Sequence, residues 1–156
     1  MLHHVSVGVR DVERAMAFYD PVLKALGYKR VVNFLPGAVA YGESRDKPEF
    51  WVGLPHDQKI PNGGNGTHVA FSARGKAAVN KFHEAALAAG GSNNGEPGPR
   101  PDYGPAYYGA FIYDLDGNKI EAVFLAMPKA APAPKKKTAK KKAAPAKKAK
   151  KKAKRR

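Results

Sequence analysis

The sequence predicts an α+β fold built from two βαβββ modules with curved mixed sheets, followed by a disordered basic tail. Three observations predict it. Adding 64 to a position carries His4 to His68, Val5 to Val69, Phe18 to Phe82, Leu23 to Leu87 and Gly27 to Gly91, and one offset kept over a strand and a helix marks a duplicated unit. Short alternating stretches flank each of two segments with apolar residues at helical spacing. Charge then divides the chain in two. Met1 to Pro128 hold 13 Lys+Arg and 13 Asp+Glu, whereas Lys129 to Arg156 hold 15 Lys+Arg and no acid, so this last segment supplies the whole net charge of +15.

The first module opens with "HHVSVGVRD". His4, Ser6 and Gly8 fall on one face of a strand, and Val5, Val7 and Val9 on the face that must be buried. Asp11 reads as an N-cap for a helix from Val12 to Leu26, with Gly27 at its stop and Pro21 ending or kinking it early. Three strands follow at "YKRVVNF", "GAVAYGE" and "PEFWVGL", separated by Gly, Pro and charged punctuation.

The second module opens with "GTHVAF", where His68, Ala70 and Ser72 share a face against Val69, Phe71 and Ala73. A helix runs from Lys76 to about Ala89 and stops at Gly90-Gly91. Strands at "YYGAFIYD" and "NKIEAVFL" are joined by a turn at Asp116-Gly117. Between helix and strands, "NNGEPGPRPDYGPAYYG" reads as a long irregular loop, too rich in Pro and Gly for a helix. "DLDGN" is not a calcium loop, because Lys119 stands where such a loop needs Gly and Leu125 where it needs Glu. His56 and His83 read as surface residues.

Length allows one domain, residues 1–128, with the tail at 129–156. The tail contains only Lys, Arg, Ala, Pro and one Thr, so its charges repel and nothing in it offers a core. With no cysteine, disulfides and zinc–thiolate sites are excluded. The N-terminus lacks a signal-peptide pattern, and no apolar run approaches the roughly 18 residues of a membrane span. The expectation is a soluble cytoplasmic protein, in which the Asn65-Gly66-Thr67 sequon has no meaning.

If the first strands of the two modules pair or neighbour each other, His4 and His68 share one sheet surface. Glu121 alternates with Val123 and Leu125 in the last strand, and an acid among apolar residues is costly to bury unless paired or metal-bound. Two imidazoles and a carboxylate suit a divalent first-row metal with open positions for substrate. His3 lies on the opposite face by parity.

The segments "HHVSVGVRDVERAMAFYDPVLKALGY", "GTHVAF" and "YYGAFIYDLDGNKIEAVF" together resemble the vicinal oxygen chelate superfamily, which includes glyoxalase I, fosfomycin-resistance transferases, bleomycin-resistance proteins and extradiol dioxygenases. The resemblance covers about residues 1–126. It implies paired modules around a divalent metal (Mn, Zn, Ni or Fe), often in a homodimer, with intrachain and swapped pairing both open. By position, His4, His68 and Glu121 match the family's metal ligands. Glu121 would serve as ligand, as catalytic base, or as both in turn. Aligning Asp46 with Asp116 sets Trp51 at the place of Glu121, and an indole cannot bind metal.

Trp51, Arg100, Tyr103 and Tyr108 are the candidate substrate contacts. The first functional reading is a metal-dependent enzyme of lyase, isomerase, transferase or dioxygenase type acting on a small molecule. A second is a metal-free module that holds a planar ligand on Trp51 and the tyrosines. The tail suggests a third, a domain tethered to DNA or RNA through Lys135, Lys136, Lys137, Lys140, Lys141, Lys142, Lys147 and Lys148. Without aromatics the tail cannot stack on bases, so such contact would be phosphate-directed and blind to sequence.

Overall fold

The computed structural model describes residues 2–126. The elements run β1 (Val5–Gly8), α1 (Val12–Lys24), β2 (Lys29–Phe34), β3 (Ala38–Gly42), β4 (Phe50–Gly53), β5 (His68–Ser72), α2 (Lys76–Ala88), β6 (Ser92–Pro99), a short 3-10 turn at Pro101–Tyr103, β7 (Tyr107–Tyr113) and β8 (Lys119–Leu125). Each module is one mixed four-stranded sheet, in the orders β1-β4-β3-β2 and β5-β8-β7-β6. In both, the first strand lies parallel to the last and the other pairs are antiparallel. The two βαβββ units predicted by the repeat are therefore present. The tail and its eight candidate lysines lie outside the described residues.

Local chemistry accounts for the helix. Asp11 is extended, and its side chain accepts the N–H of Arg14 at 2.9 Å, which satisfies one of the free N–H groups of the first turn. Pro21 does not end α1. The helix continues to Lys24, because its buried stripe of Val12, Ala15, Phe18, Tyr19, Val22 and Leu23 holds the last turn against the core. That core is shared by both modules: Phe50 of β4 packs edge-on against Phe71 of β5 at 5.0 Å, and Tyr28 reaches the same ring at 5.7 Å.

Two expectations are corrected. The segment read as an irregular loop contains β6, a strand full of Gly and Pro that pairs with β7 through two shifts of register. Pairing with the long β7, rather than intrinsic propensity, makes it a strand. His83 is buried, not superficial: its Nε2 lies 2.9 Å from Asn93 Oδ1 on β6. Its counterpart at the repeat offset is Tyr19, which is also buried.

The hairpin turn between β7 and β8 locks the modules together. Asp114 Oδ1 accepts the N–H groups of Asp116 and Asn118, while Oδ2 accepts the Tyr19 hydroxyl at 2.6 Å and the Asn118 amide at 2.8 Å. Asn118 also donates to the carbonyl of Gly8 at 3.0 Å. Arg10 Nε stands 3.0 Å from Asp116 Oδ1 as an ion pair without hydrogen-bond alignment.

Candidate active site on the sheet face of the second module

Strand parity places the site. In β8, Lys119, Glu121, Val123 and Leu125 alternate away from the helices, while Ile120 and Ala122 enter the core. Register sets Glu121 beside Ala70 of β5 on one side and Phe111 of β7 on the other. His68, at the start of β5, shares this face. Its Nε2 lies 3.2 Å from Glu121 Oε2. The carboxylate is only 2% exposed, whereas the His68 side chain is 44% exposed. A buried acid thus meets a solvent-facing imidazole.

The other oxygen, Glu121 Oε1, accepts the hydroxyl of Tyr107 at 2.5 Å. Burial and this hydrogen bond push the Tyr107 phenol up to about 12, so it remains a donor at neutral pH. Gly109, between Tyr107 and Phe111 on β7, leaves the space for that contact: a Cβ there would sit 3.1 Å from Glu121 Oε1 and 3.2 Å from the Tyr107 ring. Sequence reasoning missed Tyr107 and named its neighbour instead. The signal was parity, since Tyr107, Gly109 and Phe111 alternate together opposite the Glu121 strand.

Tyr108 points the other way. It lies on the α2 side of the sheet, with its hydroxyl donating to Asn80 Oδ1 at 2.9 Å and Lys76 Nζ 5.2 Å from its ring. Tyr103 is exposed and meets Tyr107 edge-on at 5.2 Å. Arg100 lies over the Phe111 ring, its guanidinium carbon 5.5 Å from the centre. Arg100 and Tyr103 are thereby gathered around Glu121, and Tyr108 is not.

His4 does not join His68 and Glu121 within the chain. Gly8, ending β1, bonds to Asn118 at the end of the sheet where β5 and β8 begin. His4 stands at the opposite end of β1, roughly 13 Å further along at the usual strand rise. Val5 instead shares a cavity of about 210 Å³ with Val69, Ala70, Phe71 and Ser72. The first strands are neighbours in opposite senses, so their initial histidines are held apart, contrary to the expectation of one shared cluster. Among the described residues no three His, Cys, Asp or Glu side chains form a group able to hold a metal ion.

The first module presents a different face. Ser6 pairs with Trp51 as Ala70 pairs with Glu121, which places Trp51 at the repeat equivalent of Glu121. Its indole stacks on Phe34, centres 6.0 Å apart and planes 13° apart, and lies 6.3 Å from the His4 ring. Phe34 is 63% exposed. This face is an aromatic platform beside one histidine.

The fold and the site define a paired-module protein with an exposed histidine and an aromatic stack on the first module and the His68–Glu121 pair on the second. Residues 1–122 match the family model described as Glyoxalase/Bleomycin resistance protein/Dioxygenase superfamily, and the chain belongs to this superfamily. A glyoxalase/bleomycin resistance protein from Albidiferax ferrireducens T118 is 32% identical, with a TM-score of 0.69 over 82% of this chain and 99% of that one. A glyoxalase-related enzyme from Fulvimarina pelagi (19% identity, TM-score 0.63, 80% and 87% covered) shares the fold. So does the fosfomycin resistance protein FosX from Listeria monocytogenes (16%, 0.58, 80% and 92%). No curated protein matches the chain. No helix among the described residues is long and apolar enough to cross a membrane.

Proposed function

We propose that the chain is a divalent-metal-dependent enzyme acting on a small molecule, in which His68 and Glu121 of one protomer and His4 of a second copy hold the ion. The observation that carries this reading is the contact of a buried carboxylate with a solvent-facing imidazole, His68 Nε2 to Glu121 Oε2 at 3.2 Å. Glu121 would be costly to bury in this sheet without partners, and one nitrogen with one oxygen donor suits a first-row divalent ion. Among the described residues no third donor joins this pair, and His4 on an exposed face is free to supply it across a homodimer. The ion, when bound, would act as a Lewis acid that polarises a carbonyl or orients two vicinal oxygens.

The chain's own residues do the rest. Tyr107 fixes the orientation of the Glu121 carboxylate through Oε1, leaving Oε2 to face His68. Phe111 and Tyr103 wall the site on its own sheet, and the Trp51–Phe34 stack of the second copy closes it opposite. Lyase, isomerase, transferase and dioxygenase chemistry all fit such a site.

Subunit complementation tests the reading. His4→Ala and Glu121→Ala chains should each lose metal binding as homodimers. Mixed, they should regain one intact site per heterodimer, because one site then combines His4 of the second chain with His68 and Glu121 of the first. No recovery on mixing would reject the shared site. A second reading, a metal-free module for a planar ligand, is favoured by the exposed Trp51–Phe34 stack. Metal analysis of freshly purified protein separates the two, near-stoichiometric metal supporting the first.

A further inference from the structure

Two cations on the Glu121 face have no part in holding a metal. Arg100 Cζ lies 5.5 Å and Lys119 Nζ 5.0 Å from the centre of the Phe111 ring. Among the described residues neither is ion-paired with a carboxylate. Arg100 is held in place by the strand that precedes it, β6: its two terminal nitrogens donate to the carbonyls of Glu96 at 2.6 Å and Pro99 at 3.2 Å. Gly95 opens the space beneath, since a Cβ there would stand 3.0 Å from the Phe111 ring and 3.3 Å from the guanidinium. Three of the five guanidinium N–H groups remain unused.

The balance of charge gives this arrangement a chemical meaning. Phe111 is 8% exposed, so on one side the two cationic heads overhang an aromatic ring that offers them little water. Glu121, which neighbours Phe111 on the sheet, is already bonded to Tyr107 and His68. Cations without a paired carboxylate attract anions, and Arg and Lys are complementary readers of an oxyanion, one by a planar fork and the other as a point charge. The His68 ring is 6.4 Å from Phe111, which puts an anion held here within one small molecule's length of the His68–Glu121 pair.

We propose that Arg100 and Lys119 bind the oxyanion of the substrate, a carboxylate or phosphonate-like group, above Phe111, so that the protein acts on anionic small molecules. This rests on the reading of the Glu121 face as the substrate site. It names the substrate class and the two residues that select it.

The test is an NMR titration of the full-length chain with phenylphosphonate, and with benzyl alcohol as its uncharged counterpart. The 15 cations beyond Pro128 are present in every sample and cancel in the comparison of variants. Phenylphosphonate should shift the Phe111 ring and His68 signals, and its affinity there should fall at least fivefold in Arg100→Gln and in Lys119→Gln. Arg74→Gln, away from this face, should leave it unchanged. Benzyl alcohol should bind all four proteins alike. Lys119→Arg, which keeps the charge, should retain binding and separates loss of charge from loss of fold. Equal phenylphosphonate affinity in the Gln variants and the wild type would overturn the proposal, as would shifts confined to residues 129–156. Manganese titration of the same samples distinguishes the two readings: absence of metal binding with oxyanion selectivity intact defeats only the metal site, whereas metal binding without that selectivity defeats only this inference.

Discussion

Tyr107 donates its hydroxyl to Glu121 Oε1 at 2.5 Å across neighbouring strands, on the face opposite the helices. The contact ties the one buried acid of the site to the strand beside it. Removing the hydroxyl by Tyr107→Phe leaves a buried carboxylate oxygen without its donor, and a hydrogen bond to a charged group is worth about 1.5–3 kcal/mol. Urea unfolding at pH 7 should show a loss of that order. No change in midpoint would mean that the oxygen finds water instead.

The same phenol sets a dependence on alkaline pH. Burial, then the hydrogen bond and charge of Glu121, raise Tyr107 from 10.0 to about 12. The protonated form is therefore favoured in the folded state. Its contribution is complete below pH 10 and is lost as pH rises through 12. Tyr107→Phe should show a shallower fall in stability between pH 10 and 12 than the wild type, measured by urea midpoints at each pH. Parallel curves would contradict the assignment.

How much of this was legible in the sequence depends on the range over which each feature is determined. Faces of strands follow from alternation within five to seven residues, so His68 and Glu121 were placed on one face from the sequence. β6 was hidden because "SNNGEPGP" has no alternation and is held by its partner strand. Tyr107 and Tyr108 are adjacent in sequence; parity along β7 separates their faces, and the register between β7 and β8 brings the Tyr107 face to Glu121. The separation of His4 from His68 is tertiary: it arises from β1 and β5 lying in opposite senses, which the repeat cannot reveal. His83, by contrast, was readable from the repeat, since its equivalent Tyr19 lies in the core stripe of α1.

The metal reading makes a quantitative claim about individual ligands. His68→Ala and Glu121→Ala should each lower divalent-metal affinity at least tenfold, about 1.4 kcal/mol. His4→Ala should do the same in the dimer. His3→Ala is the control, although His3 Nδ1 touches His4 Nδ1 at 2.9 Å, because that contact orients His4 without replacing its other nitrogen. Calorimetric titration of metal-free protein decides it: unchanged binding in either of the first two variants, or an equal loss in His3→Ala and His4→Ala, would sink the ligand set.

The buried Tyr19–Asp114 bond carries a prediction about the joint between modules. Burial and then the charge of Asp114 hold the Tyr19 phenol well above its ordinary value, so it donates at neutral pH. Tyr19→Phe removes one of the donors to Asp114 and should cost about 1.5–3 kcal/mol. Because the joint lies on the helix side of the sheets, metal affinity should be preserved. Unfolding that splits into two transitions in the variant would place the clasp at the centre of cooperativity between modules, while an unchanged midpoint would show the bond to be dispensable.

The last prediction concerns residues 129–156, whose charge is independent of the neutral domain. If this polycation binds nucleic acid, deleting it should leave metal affinity and melting temperature nearly unchanged and should abolish binding to duplex DNA. Each neutralised phosphate releases counterions and contributes about −0.9 to the slope of log K on log salt. Engaging half of the 15 cations implies a slope of roughly −6 to −7 and a loss of about four orders of magnitude between 50 and 200 mM salt. Since the segment has no aromatic side chain, two unrelated duplexes should bind alike. Anisotropy across that salt range, with and without the segment, measures all three quantities. Tight binding by the truncated chain would move the basic surface onto the domain, where Arg100 and Lys119 are the first residues to test, and a flat salt response in the full chain would refute the electrostatic account.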